Sequence, residues 1–247
     1  MNFVFKTLTI FLGFSLVSCN VQSNEKFNNS NKENVEYIEQ SSSNEVNFDE
    51  SNSSIIDESN NIFSSESNQE IKYLHFDEKI KIYINPSVQY SNLYASNLGN
   101  EGYYMNCISI ILVELLSKYT NLIVYSNNDL PGKSLSSSVK ESNLLNADYH
   151  IALHSNAGGG TGSEIFYTRS SYGLSSSILT SLQEVLPYKT RGLKNGESSM
   201  YELKATKAKA CLIEVLFHDD EKQALFIINN QKEIARAIFF GITSYLS

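Results

Sequence analysis

The chain has 247 residues and a formal net charge of −8, a length that allows one or two domains of ordinary size. Its acidic excess lies in one stretch, because residues 20–78 hold 13 acidic against 3 basic side chains, while residues 79–247 hold 14 against 15. Without a concentrated basic face there is no electrostatic reason for nucleic-acid binding, so we expect no nucleic-acid partner.

Residues 1–18 have the pattern of a secretion signal. Lys6 precedes an apolar run over 8–14, which is shorter than the roughly 20 residues that a permanent membrane-spanning helix needs. The segment Leu16-Val17-Ser18-Cys19 follows and resembles the lipobox of bacterial lipoproteins. The resemblance implies that Cys19 is a lipid anchor on the outer face of the cytoplasmic membrane, facing the cell wall. An ordinary signal peptide with a chance cysteine is the alternative.

Residues 19–78 are rich in Asn, Ser and Glu, and residues 20–78 contain neither Pro nor Gly. Such a composition buries too little apolar surface to offset the chain entropy of folding, and its like charges keep it extended. We therefore predict a disordered acidic tether between the anchor and the folded part.

Residues 79–247 alternate short apolar runs with segments of helical period, which predicts a single three-layer α/β domain. Its central sheet is expected to be mostly parallel or mixed, with helices on its faces. The remaining cysteines, Cys107 and Cys211, lie in apolar runs, and we favour two buried thiols over a disulfide. The predicted strands cover 81–84, 122–125, 149–154 and 211–216, and the predicted helices cover 101–119, 134–146 and 231–246, with another helix before the last.

Three polar residues occur where burial alone would not place them. His154 ends an apolar strand and is followed by a glycine run, a position where ligands often bind in open α/β sheets. Glu214 lies between aliphatic residues in a strand, where a carboxylate is costly unless it is paired or bound to metal. Glu101 follows Asn100 at a helix start. Taken singly, each has an ordinary structural explanation: a packed histidine, a salt bridge to a nearby lysine and a first-turn glutamate favoured by the helix dipole.

Taken together, the polar positions resemble the signature blocks of the N-acetylmuramoyl-L-alanine amidase 3 family. The blocks occur in the family's order and cover nearly all of residues 80–247. They are Asn100-Glu101, Ala147-Asp148-Tyr149-His150-Ile151-Ala152-Leu153-His154-Ser155-Asn156-Ala157, Arg191-Gly192-Leu193-Lys194 and Cys211-Leu212-Ile213-Glu214-Val215-Leu216-Phe217.

The resemblance implies a zinc ion bound by Glu101 and His154, with Glu214 as the general base that activates water. Asn156 would be a donor to the substrate carbonyl. The implied substrate is peptidoglycan, cut at the amide between N-acetylmuramic acid and L-alanine. Zinc lowers the pKa of bound water to about 7, and a nearby carboxylate then accepts its proton.

One departure from the family concerns the metal. Family members end their first strand in a turn with a zinc-binding histidine, whereas this chain has Asn85-Pro86-Ser87-Val88-Gln89. Catalytic zinc normally has three protein ligands, so a replacement is needed. The candidates are Gln89 and His218, the latter with Asp219 nearby to orient it. His150 is disfavoured, because four residues of regular strand put it ~13 Å from His154.

The missing histidine leaves other functions open. The main alternative is an inactive amidase-fold lipoprotein that binds peptidoglycan, and a zinc peptidase acting on another amide is the third possibility.

Overall fold

The computed structural model describes residues 79–247, which form six strands and six α-helices. In chain order these are β1 (Ile80–Pro86), α1 (Glu101–Leu116), β2 (Leu122–Ser126), α2 (Leu135–Leu144), β3 (Tyr149–Asn156), β4 (Glu164–Tyr167), α3 (Tyr172–Val185), β5 (Gly192–Asn195), α4 (Tyr201–Ala205), β6 (Lys209–Phe217), α5 (Glu221–Asn229) and α6 (Gln231–Leu246). Short 3₁₀ turns at Ala95–Asn97 and Arg169–Ser171 precede α1 and α3.

The strands form one mixed sheet in the order β2-β1-β3-β6-β4-β5. Strands β2, β1, β3 and β6 run parallel, whereas β4 is antiparallel to β6 and carries β5 parallel to itself. The predicted α/β class with a mixed sheet flanked by helices is therefore confirmed.

The side-chain alternation of β3 assigns two different faces to the sheet. Tyr149, Ile151 and Leu153 lie in the large apolar core, to which α1, α3 and α6 also contribute buried residues. Ala152 lies in a smaller cluster with Leu203 of α4. His150 and His154 alternate in step with Ala152, so both histidines point toward the face that α4 covers.

Helix α1 begins at the edge of the sheet where the functional residues gather. The side chain of Asn100 caps the helix by accepting from the backbone N–H of Tyr103 at 2.9 Å. Glu101 is the first helical residue, where the helix dipole favours a negative charge. Although it begins a helix, Glu101 is only 1% exposed, because it faces the end of β3 rather than solvent.

Several predicted boundaries shift. Asn85 and Pro86 were predicted to close the first strand, but they extend β1 by pairing with Ala152 and Leu153 of β3. Helix α1 ends at Leu116 rather than at residue 119. Elements α3, β5 and α4 were not predicted.

The remaining sequence predictions concern the cysteines and the N-terminal segments. Cys107 and Cys211 are both buried thiols, as expected. Cys19, the signal peptide over 1–18 and the tether over 19–78 lie outside the described residues. Within 79–247, no helix is long and apolar enough to cross a bilayer.

Candidate active site

The candidate site lies at the carboxyl ends of β1, β3 and β6, the edge where α/β sheets usually bind ligands. His154 and Glu214 are direct register partners on the parallel strands β3 and β6, so their side chains leave the same face of the sheet. The sheet thus brings together two of the three residues singled out from the sequence, and the start of α1 adds Glu101.

Glu101 and His154 form a close pair. Oε1 of Glu101 lies 2.8 Å from Nδ1 of His154, and its Oε2 accepts from Asn92 Nδ2 at 2.8 Å. Burial opposes ionisation of Glu101, but these two contacts outweigh it and hold its pKa below the usual value. Burial likewise opposes protonation of His154, yet its hydrogen bond with Glu101 and the nearby carboxylate of Glu202 raise its pKa to about 10. The two carboxylates therefore favour the protonated form of His154 when no metal is bound.

Gln89 reaches the same nitrogen. Its Nε2 lies 3.3 Å from His154 Nδ1, and its Oε1 accepts from Asn92 Nδ2 at 2.9 Å. A half-turn of the terminal amide exchanges the positions of oxygen and nitrogen. Gln89 is thus the candidate third ligand that the structure brings next to Glu101 and His154.

His218 is held elsewhere by its own contacts. Its Nδ1 lies 2.8 Å from the backbone oxygen of Ser155 and 3.0 Å from Ser155 Oγ. Its ring stacks on Tyr94 with centroids 5.2 Å apart. Within residues 79–247, His218 makes no hydrogen bond or ion pair with Glu101 or His154. These contacts hold β3 to the turn before α1.

Asp219 fixes the glycine loop after β3 rather than orienting His218. Its Oδ2 accepts from the backbone N–H groups of Gly158 at 2.7 Å and Gly159 at 2.8 Å. Both glycines have positive φ, a conformation that other residues rarely adopt. These hydrogen bonds therefore fix the glycine loop beside the site to the residues that follow β6.

Glu214 is the least compensated charge of the site. Its Oε2 is buried without a hydrogen-bond partner among the described residues. Burial is the main cause that raises the pKa of Glu214 to about 7, with the charges of Glu101 and Glu164 adding to the rise and His154 opposing it. A carboxyl that exchanges its proton near neutral pH suits general acid–base catalysis.

A neighbouring glutamate is fully paired. Glu164 of β4 is the antiparallel register partner of Glu214, and its Oε2 accepts from Arg191 Nε at 2.6 Å and from Lys194 Nζ. Its Oε1 accepts from Asn156 Nδ2 at 2.9 Å. Asn156, predicted to contact substrate, therefore donates one amide hydrogen to Glu164, and its second amide hydrogen remains for another acceptor.

Glu202 is a site residue that the sequence analysis missed. It is buried on α4, and its Oε1 lies 2.7 Å from His150 Nε2 and also accepts from Asn85 Nδ2. Its Oε2 lies 3.8 Å from His154 Nε2. Burial works against its ionisation, but the hydrogen bond with His150 and the nearby ring of His154 lower the pKa of Glu202 to about 2. No sequence signal marked it, since α4 was not predicted and its partners lie over 45 residues away.

The residues present suit zinc in kind, although the set is short of one strong ligand. Within 79–247, no three His, Cys, Asp or Glu side chains are arranged to hold a metal ion. An imidazole nitrogen and a carboxylate oxygen do meet at His154 and Glu101, with the Gln89 amide beside them. Both donor types are ordinary zinc ligands, and the unpartnered oxygen of Glu214 lies on the neighbouring strand.

Solved structures with this fold include several cell-wall amidases. The catalytic domain of CwlV, an N-acetylmuramoyl-L-alanine amidase from Bacillus (Paenibacillus) polymyxa var. colistinus, aligns with a TM-score of 0.63 at 21% identity, covering 68% of this chain and 98% of that one. The amidase AmiC2 of Nostoc punctiforme gives 0.62 at 18% identity, with 68% and 97% covered. The CwlD amidase of Clostridioides difficile, solved in complex with the GerS lipoprotein, gives 0.60 at 24%, with 68% and 98% covered. The comparison with curated proteins found no match.

The carboxylates and the imidazole that meet at one sheet edge are side chains suited to the hydrolysis of an amide bond. A sequence profile described as N-acetylmuramoyl-L-alanine amidase matches residues 92–244, which is more than half of the chain. The chain therefore belongs to the N-acetylmuramoyl-L-alanine amidase family. The matched region begins after Gln89, so the β1 turn that lacks histidine lies outside it.

Proposed function

We propose that the protein is a zinc-dependent N-acetylmuramoyl-L-alanine amidase that cuts peptidoglycan between the lactyl group of N-acetylmuramic acid and L-alanine. The observation that carries the proposal is Glu214, whose buried Oε2 has no partner in the described part of the chain and faces the side of the sheet that holds His154. A buried unpaired carboxyl is costly, so its position beside an imidazole–carboxylate pair fits a proton-transfer role.

Glu101 and His154 would hold the metal, and Gln89 would add its amide oxygen after a half-turn of the amide. That turn breaks the hydrogen bond in which Gln89 Oε1 accepts from Asn92. When bound, zinc supplies Lewis-acid chemistry and lowers the pKa of water to about 7. To hold the metal through Nδ1, His154 would give up the proton that this nitrogen shares with Glu101.

Glu214 acts as the base and then as the acid. Its Oε2 takes a proton from the attacking water and later delivers it to the nitrogen of the leaving amine, which becomes the free amino group of L-alanine. Asn156 uses its remaining amide hydrogen as a donor to the substrate carbonyl. Its other hydrogen bond, to Glu164, fixes the direction of that donor.

The test uses the full-length chain, stripped with a chelator and then reloaded with zinc, acting on purified peptidoglycan. We expect about one zinc per chain and products with a free L-alanine amino terminus and an intact lactyl carboxylate, identified by mass spectrometry. A zinc peptidase would free a different amino terminus. Peptidoglycan binding without any cleavage at full zinc loading would support the inactive-binder alternative and overturn the proposal.

We further propose that the enzyme acts outside the cytoplasm, anchored by a lipid on Cys19 and separated from the membrane by the tether over 19–78. The support is the Leu16-Val17-Ser18-Cys19 segment together with the peptidoglycan substrate. Labelling of a producing bacterial cell with a fatty-acid analogue should mark the wild type and leave Cys19→Ser unmarked. Equal labelling of both proteins would contradict the anchor.

A further inference from the structure

His154 has two ring nitrogens with different surroundings, and the difference decides how the ring is used. Nδ1 faces Glu101 at 2.8 Å and Gln89 at 3.3 Å, while Nε2 faces Glu202 at 3.8 Å. One side of the ring therefore meets the candidate ligands, and the opposite side meets a buried carboxylate. Metal-binding histidines commonly donate their second N–H to such a carboxylate, which fixes the tautomer and the ring orientation.

Glu202 is itself held firmly in place. His150 is fully buried, its Nε2 lies 2.7 Å from Glu202 Oε1, and its ring stacks on Tyr83 with centroids 5.3 Å apart. Nδ1 of His150 has no hydrogen-bond partner in the described part of the chain, so the contact is best made by Nε2–H donating to Glu202. Asn85 donates to the same oxygen from the end of β1.

This arrangement leaves the second oxygen for His154. Because His150 and Asn85 both engage Oε1, the carboxylate cannot rotate freely, and Oε2 is the atom that faces the ring of His154. The two histidines lie four residues apart on β3 and share Glu202, which links the buried interior of β3 to the site.

We infer that Glu202 is a positioning residue for His154, holding the Nε2–H side of the ring so that Nδ1 is the nitrogen presented to the metal. The inference rests on the proposed function, because it presupposes zinc at His154. It assigns a role to α4, whose short helix places Glu202 between β1, β3 and the site.

The first measurement is zinc binding to the full-length chain by competition with a chromophoric chelator. Glu202→Gln should weaken zinc binding by about 10- to 100-fold, the usual effect of removing such a partner, and Glu202→Asp should restore part of it. Glu141→Gln is the matched control, because Glu141 also accepts from a buried ring, at 2.6 Å from Tyr83 Oη, but on α2. It should bind zinc as the wild type does.

The second measurement reports the tautomer directly and does not depend on the variant folding. Long-range ¹H–¹⁵N spectra resolve ring nitrogens, and the chain has only four histidines to assign. In the zinc-loaded wild type, we expect the proton of His154 on Nε2 and the metal on Nδ1.

The outcomes separate the two claims. A zinc-loaded wild type with the metal on Nε2, or a folded Glu202→Gln protein with wild-type zinc affinity, overturns the role of Glu202 and leaves the amidase proposal standing. A wild type that binds no zinc overturns the proposed function and this inference with it.

Discussion

Glu164 and Glu214 lie opposite each other on antiparallel strands, yet their surroundings differ in one respect. Glu164 is contacted by Arg191, Lys194 and Asn156, and hydrogen bonds from its two cationic partners outweigh burial and keep its pKa below the usual value. Glu214 is half-buried, but its Oε2 is buried without a hydrogen-bond partner among the described residues, and burial raises its pKa to about 7. The same residue type thus holds a permanent charge on one strand and an exchangeable proton on the next.

This contrast supports the proposal that Glu214 is the carboxyl that transfers the proton. The permanently charged Glu164 orders Asn156 and neighbours β5, while its negative charge also contributes to the raised pKa of Glu214. The charge of His154 acts in the opposite direction and lowers the pKa of Glu214.

The largest expected effect comes from removing the ionisable carboxyl of Glu214. Glu214→Gln keeps the shape of the side chain but removes the proton acceptor, so kcat should fall by about 10²- to 10⁴-fold, the range for losing a general acid–base group. Zinc content should stay at the wild-type level, because the variant leaves Glu101 and His154 intact. Assays on soluble muropeptides check both values, with Glu141→Gln as the control. A kcat within a few-fold of wild type would remove Glu214 from the mechanism.

A smaller effect is expected on the stability of zinc-free protein. Because the pKa of Glu214 rises from 4.5 to about 7 on folding, its carboxyl favours the folded state below pH 4.5, and that contribution is lost as the pH rises through 7. One pKa unit corresponds to about 1.4 kcal/mol. The free energy of unfolding of Glu214→Gln, relative to that of the wild type, should therefore increase by about 2–3 kcal/mol between pH 4.5 and pH 8. Urea unfolding of both proteins at the two pH values measures this gain. A difference that does not change with pH would contradict it.

The smallest expected effect comes from removing one of the two cationic partners of Glu164. Lys194→Gln leaves Glu164 with Arg191 alone, and because Lys194 is 38% exposed, the cost should be about 1 kcal/mol of unfolding free energy. The less compensated charge of Glu164 should also move the acidic limb of kcat/KM to higher pH. Lys207→Gln, at an exposed position after α4, is the control and should change neither quantity. An unshifted limb would mean that Glu164 does not act on Glu214.

The sequence predicted those parts of the fold that have a strong local pattern. The apolar runs of β3 and β6 and the helical period of α6 specify their elements directly. Helix α3 was missed although Leu174, Ile178 and Leu182 recur at helical spacing, because four serines within the same stretch give it the composition of a loop. Strand β5 has only four residues and none that is buried, so its pairing with β4 is set by tertiary contacts rather than by its own pattern.

The residues of the candidate site likewise differ in whether a local sequence pattern marks them. Glu101, His154 and Glu214 stand out because polar residues interrupt apolar segments or begin a helix. Glu202 does not stand out, since its role arises only when α4 packs beside β3 and brings it to His150. His218 looked suitable from its position after β6, but its place against Ser155 and Tyr94 depends on the turn before α1.

The contrast between the two glutamates is tested most directly by titrating them in zinc-free protein, using ¹³C NMR of labelled side-chain carboxyls assigned with Glu164→Gln and Glu214→Gln. We expect Glu214 to titrate with a midpoint near 7 and Glu164 to titrate below 4.5. A midpoint for Glu214 at or below 4.5 would contradict the claim that this carboxyl carries the exchangeable proton of the site.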